Sequence, residues 1–337
     1  MKVDIELVLV KYARLVDHFI LEHLSGTPES LYQAALHLVK AGGKRLRPAI
    51  AMLVANMLGG IEAESRALPL AAAIEVSHTF TLIHDDIMDR DDYRRGVPTV
   101  HKLWGESWAI LAGDLLHAYA YKFIVSSVDH GLSKGEAHEA MKVLTTAGIK
   151  VSRGQAYDLL FEKTLDVTVA DYLDMVYHKT GAIMEASAKL GAVAARAESE
   201  VVELLGQYGG LLGVAFQVRD DYLGMFGDPE KTGKPIYSDL RRGKKTLLAI
   251  YALSKLKGEE REFLVKLLDP NTPKSLEDLE RGAMLVKESG AADEALRLSR
   301  VYADRAKEIL LSLRNVVNED AREALLVITE YAIIRDR

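Results

Sequence analysis

Residues 68–92 read LPLAAAIEVSHTFTLIHDDIMDRDD, an apolar run that ends abruptly in carboxylates. Asp85 and Asp89 lie four apart, and Asp86 adjoins Asp85. On an α-helix, residues i and i+4 project from one face. Like charges at that spacing repel, so a surface helix gains no stability from them. A divalent cation resolves the conflict. Hard oxygen ligands suit Mg²⁺, which keeps several waters and is held by one or two carboxylates plus substrate phosphates. The pattern then recurs. GGLLGVAFQVRDDYLG, Gly209 to Gly224, again runs apolar residues into a pair, Asp220 and Asp221. Two apolar helices that each end in Asp-Asp imply two acidic walls facing a cavity, greasy at depth and metal-loaded at its mouth. A diphosphate head with a hydrocarbon tail fits such a cavity.

Working outward, helical periodicity dominates and strand alternation is nearly absent. Residues 5–24 place Leu7, Val8, Tyr12, Leu15, Val16, Phe19 and Ile20 on one stripe. Further helices are expected at 29–40, 49–59, 64–90, 106–129, 135–161, 169–195 and 199–226, and at 246–256, 258–268, 274–289, 291–314 and 317–334. Between the second and third, AGGKRLRPAI (41–50) breaks at Gly42 and Gly43, and Pro48 opens the next helix. Lys44, Arg45 and Arg47 crowd this turn, which is either an anion site or a solvated basic turn. After the first acidic cluster, Arg94 and Arg95 suit phosphate oxygens, or else salt bridges back to Asp91 and Asp92. Gln155 and Asp158 sit about one turn apart, facing a cavity or forming a local polar pair. Lys179 and Thr180 fall in mid-helix, where a lysine snorkels to water or serves a phosphate. FGDPEKTGKPIYSDLRRGKKT (226–246) is the longest loop-like stretch, and it reads as a lid that brings Lys234 and Lys244 onto a diphosphate.

Composition narrows the class. Of the 337 residues, 49% are apolar, enough for a sizeable core, and the net charge of −6 gives no global pull toward nucleic acid. There is no cysteine, hence no disulfide and no thiol nucleophile, which fits a cytoplasmic setting. The N-terminus does not read as a signal peptide, and no uncharged apolar run is long enough for stable membrane insertion. The acidic helix ends at 85 and 220 have to converge, so residues 1–337 are expected to form one domain. The expected fold class is all-α, a single helical bundle around a central cavity.

Assembled in order, GGKRLRP, HDDIMDRDDYRRGVPTVH, GQAYDL, HKTG, GVAFQVRDDYLG and TGKPIYSDLRRGKKT resemble the trans-isoprenyl diphosphate synthases, most of all the archaeal-type geranylgeranyl and farnesyl diphosphate synthases. The resemblance covers residues from about 40 to 247. It implies the isoprenoid synthase fold, a homodimer, and head-to-tail condensation of isopentenyl diphosphate with an allylic diphosphate, assisted by three Mg²⁺ per site. It further implies that Asp85 and Asp89 hold metal on the allylic diphosphate from one side and Asp220 from the other. Arg94, Lys179 and Lys234 would hold the same diphosphate, with Gln217 nearby. Lys44, Arg47, His78 and Arg95 would hold isopentenyl diphosphate. Thr180, Gln155 and Asp158 would line the allylic region, Lys244 would belong to the lid, and Arg335 or Arg337 would close over the second substrate. One departure stands out: Gly224 sits where many relatives carry a third aspartate, and Asp228 or Asp239 is expected to assist through water.

The resemblance also bears on product length. Bulky Phe80, five before Asp85, with small Thr81 beside it, looks like the geranylgeranyl pattern. On an ideal wheel Ile74, Ser77 and Thr81 lie near the face of Asp85, whereas Phe80 lies to one side, so the analogy and not the geometry places Phe80 in the product tunnel. Two rivals remain. A class I terpene cyclase would carry an Asn/Ser/Glu-type second motif and no GGKRLRP site. A non-catalytic regulatory subunit of a prenyl synthase would have lost one aspartate motif.

Overall fold

In the computed structural model, which describes residues 3–228 and 236–334, the expected periodicity becomes helix almost throughout. The first half of the chain runs α1 (Ile5–His23), α2 (Glu29–Lys40), α3 (Leu46–Met88), α4 (Val100–Trp104), α5 (Glu106–Ser126) and α6 (Lys134–Phe161). There follow α7 (Val169–Val176), α8 (Ala182–Ala194), α9 (Ser199–Phe226), α10 (Ser238–Arg242), α11 (Leu247–Lys255) and α12 (Gly258–Leu267). The chain closes with α13 (Leu276–Glu288), α14 (Ala291–Ser312) and α15 (Glu319–Ile334). Among the described residues the strands are a two-residue hairpin, Tyr93–Arg94 against Val97–Pro98. Arg95 and Gly96 turn it with φ of 54° and 77°, the left-handed pair that a tight hairpin needs.

The residues fall into two units. The first comprises Met1–Ala147, Ile183–Gln207 and Ile309–Ile328, and the second Gly148–Ala182, Tyr208–Glu308 and Thr329–Arg337.

In the first unit α3 is the core element. Residues 48–57 and 69–77 are buried on every side of the helix, as expected for a helix whose apolar residues form no single stripe. The two helices expected at 49–59 and 64–90 are one run kinked at Gly60, whose φ of 66° and ψ of −159° only glycine adopts without strain. The helix starts at Leu46, earlier than expected, so Pro48 is its third residue. Its missing N–H still falls among the first four, which have no intrahelical acceptor. The kink is stapled from elsewhere in the unit. The Val317 and Asn318 N–H groups donate to the Met57 carbonyl at 2.9 and 3.1 Å, and Asn318 Nδ2 donates to Asn56 Oδ1 at 2.6 Å. Against this core α1 buries Leu9, Tyr12, Val16, Phe19 and Ile20. Leu7 and Leu15, expected on that stripe, are 68% and 39% exposed, so the buried face is narrower than the sequence suggested.

In the second unit, Val214, Val218 and Met225 of α9 pack with Tyr172, Met175 and the buried faces of α11, α12 and α13. A capping box, Thr168 with Asp171, starts α7. The helix expected at 169–195 is interrupted by a π-turn at Tyr177–Gly181. The stretch expected to be a loop at 226–246 holds α10, and its described end is pinned. Buried Lys245 donates to the carbonyls of Glu162 (3.0 Å), Gly243 (3.3 Å) and Leu268 (3.0 Å), and Lys274 donates to those of Leu240 (3.0 Å) and Arg241 (2.7 Å).

Both α3 and α9 are long and apolar enough to cross a membrane, and 67% and 56% of their apolar windows are buried inside the fold.

Candidate active site

The first acidic motif ends α3. Asp85 and Asp89 are partly buried and one turn apart, and the Asp89 N–H donates to the Asp85 carbonyl at 2.8 Å. Carboxylates at a helix C-terminus face the negative end of its dipole as well as each other. The fold therefore places them there at an energetic cost, which a bound cation offsets. Asp86 plays a different part. It is buried, and Arg94 Nε donates to its Oδ1 at 2.7 Å. Burial pushes the Asp86 carboxyl up to about 6 against the pull of Arg94. Arg94 also reaches Asp91 Oδ2 at 3.4 Å, while Asp92 pairs with Lys102 at 2.6 Å. The expected return of Arg94 to its own loop is thus half right: the partners are Asp86 and Asp91.

The residues expected to hold the second substrate gather in the same unit. Arg47 Nη1 donates to His78 Nε2 at 3.0 Å, which makes that nitrogen the acceptor. Burial, and then the charges of Arg47, Arg95, Arg94 and Arg45, hold the His78 imidazole well below its ordinary pKa. His78 is therefore a neutral residue ringed by cations. Lys44 is exposed in the turn before α3. Arg95 Nη1 donates to the Leu38 carbonyl at 2.8 Å. Arg45 is not a solvated turn cation but is fully buried. Phe80 packs against the His117 ring at 4.7 Å and the His84 ring at 5.7 Å between centroids, which turns it toward α5.

In the second unit, the π-turn carries Lys179, whose Nζ donates to Asp158 Oδ2 at 2.7 Å. Gln155 lies on the same partly buried side of α6 as Asp158. Thr180 Oγ1 donates to Gln217 Oε1 at 2.9 Å, and Gln217 Nε2 donates to Asp221 Oδ1 at 2.8 Å. The Tyr172 hydroxyl donates to Asp221 Oδ2. Burial first, then the charge of Asp239, pushes the Asp221 carboxyl up to about 7. As with Asp86, the second pair has one inward member, Asp221, tied into hydrogen bonds, and one partly exposed member, Asp220. A β-carbon at Gly224 would lie 2.5 Å from Asp239 Oδ2, so the Asp239 carboxylate occupies the space a third aspartate of the motif would need. Lys244 is partly buried after α10, and its N–H donates to the Asp239 carbonyl at 2.9 Å. Lys234, Arg335 and Arg337 lie outside the described residues.

The sequence reading missed Tyr172, Glu75, Asp17 and the burial of Arg45. A tyrosine seven residues before Lys179 carries no signal of its own. Glu75, an isolated carboxylate inside an apolar run, does, because a charge there needs a buried partner.

Asp85 and Asp89 in the first unit, and Asp220 in the second, offer oxygen only. Among the described residues no group of three or more His, Cys, Asp or Glu is arranged to hold a metal. One or two carboxylates, with the shell completed by water and substrate phosphate, is the arrangement Mg²⁺ takes, so the residues fit the ion.

Known proteins agree with this geometry. The family model described as Polyprenyl synthetase matches residues 28–284. A geranylfarnesyl diphosphate synthase from Aeropyrum pernix is 55% identical over 321 residues, covering 95% of this chain and 99% of that protein. The crystal structure of a geranylgeranyl pyrophosphate synthetase from Pyrococcus horikoshii superposes with a TM-score of 0.90 at 34% identity, covering 98% of this chain and 99% of the other. A polyprenyl synthase from Caulobacter crescentus, whose structure holds calcium and isoprenyl diphosphate, matches with a TM-score of 0.88 at 31% identity, covering 100% and 99%. The fold is the isoprenoid synthase fold, and the family works with divalent metal ions. The chain belongs to the polyprenyl synthetase family and is an isoprenyl diphosphate synthase, a prenyltransferase of isoprenoid biosynthesis.

Proposed function

We propose that the chain condenses isopentenyl diphosphate head-to-tail with allylic diphosphates and releases geranylgeranyl diphosphate, with farnesyl diphosphate as the shorter product. The observation that carries this reading is the pairing of Asp85 and Asp89 at the end of a buried apolar helix with cations gathered around a neutral His78. Asp85, Asp89 and Asp220 would hold Mg²⁺, which when bound neutralises the leaving diphosphate as its charge develops. Arg94, Lys179 and Lys234 bind the allylic diphosphate, and Lys44, Arg47, His78 and Arg95 bind isopentenyl diphosphate. The allylic C–O bond breaks with its electron pair on the diphosphate, the isopentenyl double bond attacks the carbocation, and the released diphosphate takes the proton. No protein nucleophile is needed. Water must be excluded from the carbocation, a role for the stretch carrying Lys244. Thr180, Gln217, Gln155 and Asp158 line the allylic side. Residues 1–337 act as one functional domain, in the cytoplasm and as a homodimer.

One observation favours a second reading of product length. The 55% identity to a geranylfarnesyl diphosphate synthase points to twenty-five carbons. Phe80 separates the two. If the Phe80 ring, packed at a tilt against His117, blocks the growing chain, Phe80→Ala shifts the main product at least one five-carbon unit longer. Chromatography of dephosphorylated products reads the shift, and an unchanged distribution removes Phe80 as the block.

A further inference from the structure

Arg45 is a buried cation to which the site above assigns no role in holding substrate. Its backbone is left-handed, with φ 48° and ψ 40°, although it is not glycine. Its guanidinium is wholly buried, and four of its five N–H donors are spent. Nε donates to Asp17 Oδ1 at 2.7 Å, Nη1 to Glu75 Oε1 at 2.9 Å and to the Gly42 carbonyl at 3.1 Å, and Nη2 to the Val39 carbonyl at 2.6 Å. One side chain thus ties α1, the end of α2 and the middle of α3 to the turn between α2 and α3. Apolar side chains of similar volume fill such a space at least as well, so packing alone does not account for a buried cation here.

What the clamp holds is informative. Lys44 immediately precedes Arg45, and Arg47 is the second residue of α3. Glu75 Oε1 is also 3.7 Å from Arg95 Nη2, so one buried carboxylate is shared between two guanidinium groups. Gly43 lies against both. A β-carbon there would be 3.1 Å from Arg45 Nη1 and 3.0 Å from Arg95 Cζ. Arg45 and Arg95 face the two carboxylates, Asp17 and Glu75, and Lys44 and Arg47 beside Arg45 in the chain add two more positive charges, which leaves a net positive turn that suits a diphosphate.

We propose that Arg45, clamped by Asp17 and Glu75, is a positioning residue that fixes the Gly42–Arg47 turn and Arg95 for the diphosphate of isopentenyl diphosphate. The inference rests on the assignment of Lys44, Arg47 and Arg95 to that substrate. Arg45→Lys keeps the charge and loses the planar fork.

The test titrates Mg²⁺-free protein with isopentenyl diphosphate by calorimetry, well below the melting temperature, and measures KM for each substrate. Arg45→Lys is expected to raise Kd and KM for isopentenyl diphosphate about tenfold and to leave KM for the allylic diphosphate within about twofold. Asn318→Ala, which loosens the α3 kink in the same unit, should lower the melting temperature and leave that Kd within about twofold. If Arg45→Lys does not fold, Asp17→Asn, at the more exposed end of the clamp, should weaken binding about threefold. An elongating wild type whose Arg45→Lys and Asp17→Asn variants bind isopentenyl diphosphate normally overturns the clamp and keeps the substrate assignment. So does equal weakening by Asn318→Ala. A wild type that does not bind isopentenyl diphosphate overturns both.

Discussion

Asp85→Asn and Asp220→Asn should each lower kcat by about a thousandfold while leaving the protein folded. Both residues are partly exposed and lie toward the C-terminal ends of long apolar helices. The charge that develops when the allylic C–O bond breaks lies on the diphosphate, and no side-chain nucleophile shares the burden. Stabilising that charge is therefore most of the catalysis. An amide keeps the size of the carboxylate but cannot offer a metal its negative charge. Asn at position 85 should also relieve the i, i+4 repulsion with Asp89, so stability should hold or rise slightly. Asp86→Asn makes the contrast. That side chain is buried against Arg94, and its change should appear in the melting temperature. Steady-state kcat at saturating Mg²⁺, with thermal melts alongside, reads both. Either Asp85→Asn or Asp220→Asn retaining more than about a tenth of the wild-type kcat would remove that carboxylate from the metal site.

Lys179→Met should cost about a hundredfold in kcat/KM for the allylic substrate if Lys179 holds its diphosphate as proposed, because a charge-assisted contact to phosphate would be lost. In the protein Lys179 is held by Asp158 at 2.7 Å. It is aimed by a π-turn, a local distortion that often marks functional sites. The turn packs closely against α6 at Gly154. A β-carbon on Gly154 would lie 2.3 Å from the Lys179 backbone nitrogen. Gly154→Ala should therefore reproduce part of the loss by moving the turn, with Lys179 itself intact. Kinetics for both variants with geranyl diphosphate, at fixed isopentenyl diphosphate, read the effect. A Lys179→Met enzyme within about threefold of wild type would confine that lysine to its ion pair.

The helices were legible where apolar residues recur with helical spacing, and the interruption expected between residues 59 and 64 falls on the kink at Gly60. Two features were not legible. The π-turn lies inside an unbroken helical pattern, and the glycine that lets another helix approach it closely, Gly154, is distant in sequence. The burial of Arg45 depends on Asp17 and Glu75, far away in sequence. Within each Asp-Asp pair the sequence named the members but not their division of labour. Consecutive residues on a helix point about 100° apart, so one of each pair, Asp86 or Asp221, turns inward to a donor. The other stays partly open to solvent. Gly224 read as a departure that Asp228 or Asp239 would assist through water, and the fold brings the Asp239 carboxylate against Gly224. The stretch at 226–246 read as a lid because glycine, proline and lysine crowd it, and part of it lies outside the described residues. Its described end is fastened by Lys245 and Lys274, whose acceptors are backbone carbonyls that no side-chain pattern reveals.

The most direct test of the account is elongation by the wild-type protein. Purified protein with Mg²⁺ and labelled isopentenyl diphosphate is offered dimethylallyl, geranyl or farnesyl diphosphate in turn, and the dephosphorylated products are separated by length. The account predicts Mg²⁺-dependent elongation to a twenty-carbon product, alone or with the fifteen-carbon one. A twenty-five-carbon product would keep the chemistry and transfer the length assignment to the geranylfarnesyl reading. No elongation from any primer, despite Mg²⁺-dependent diphosphate binding, would contradict the central claim.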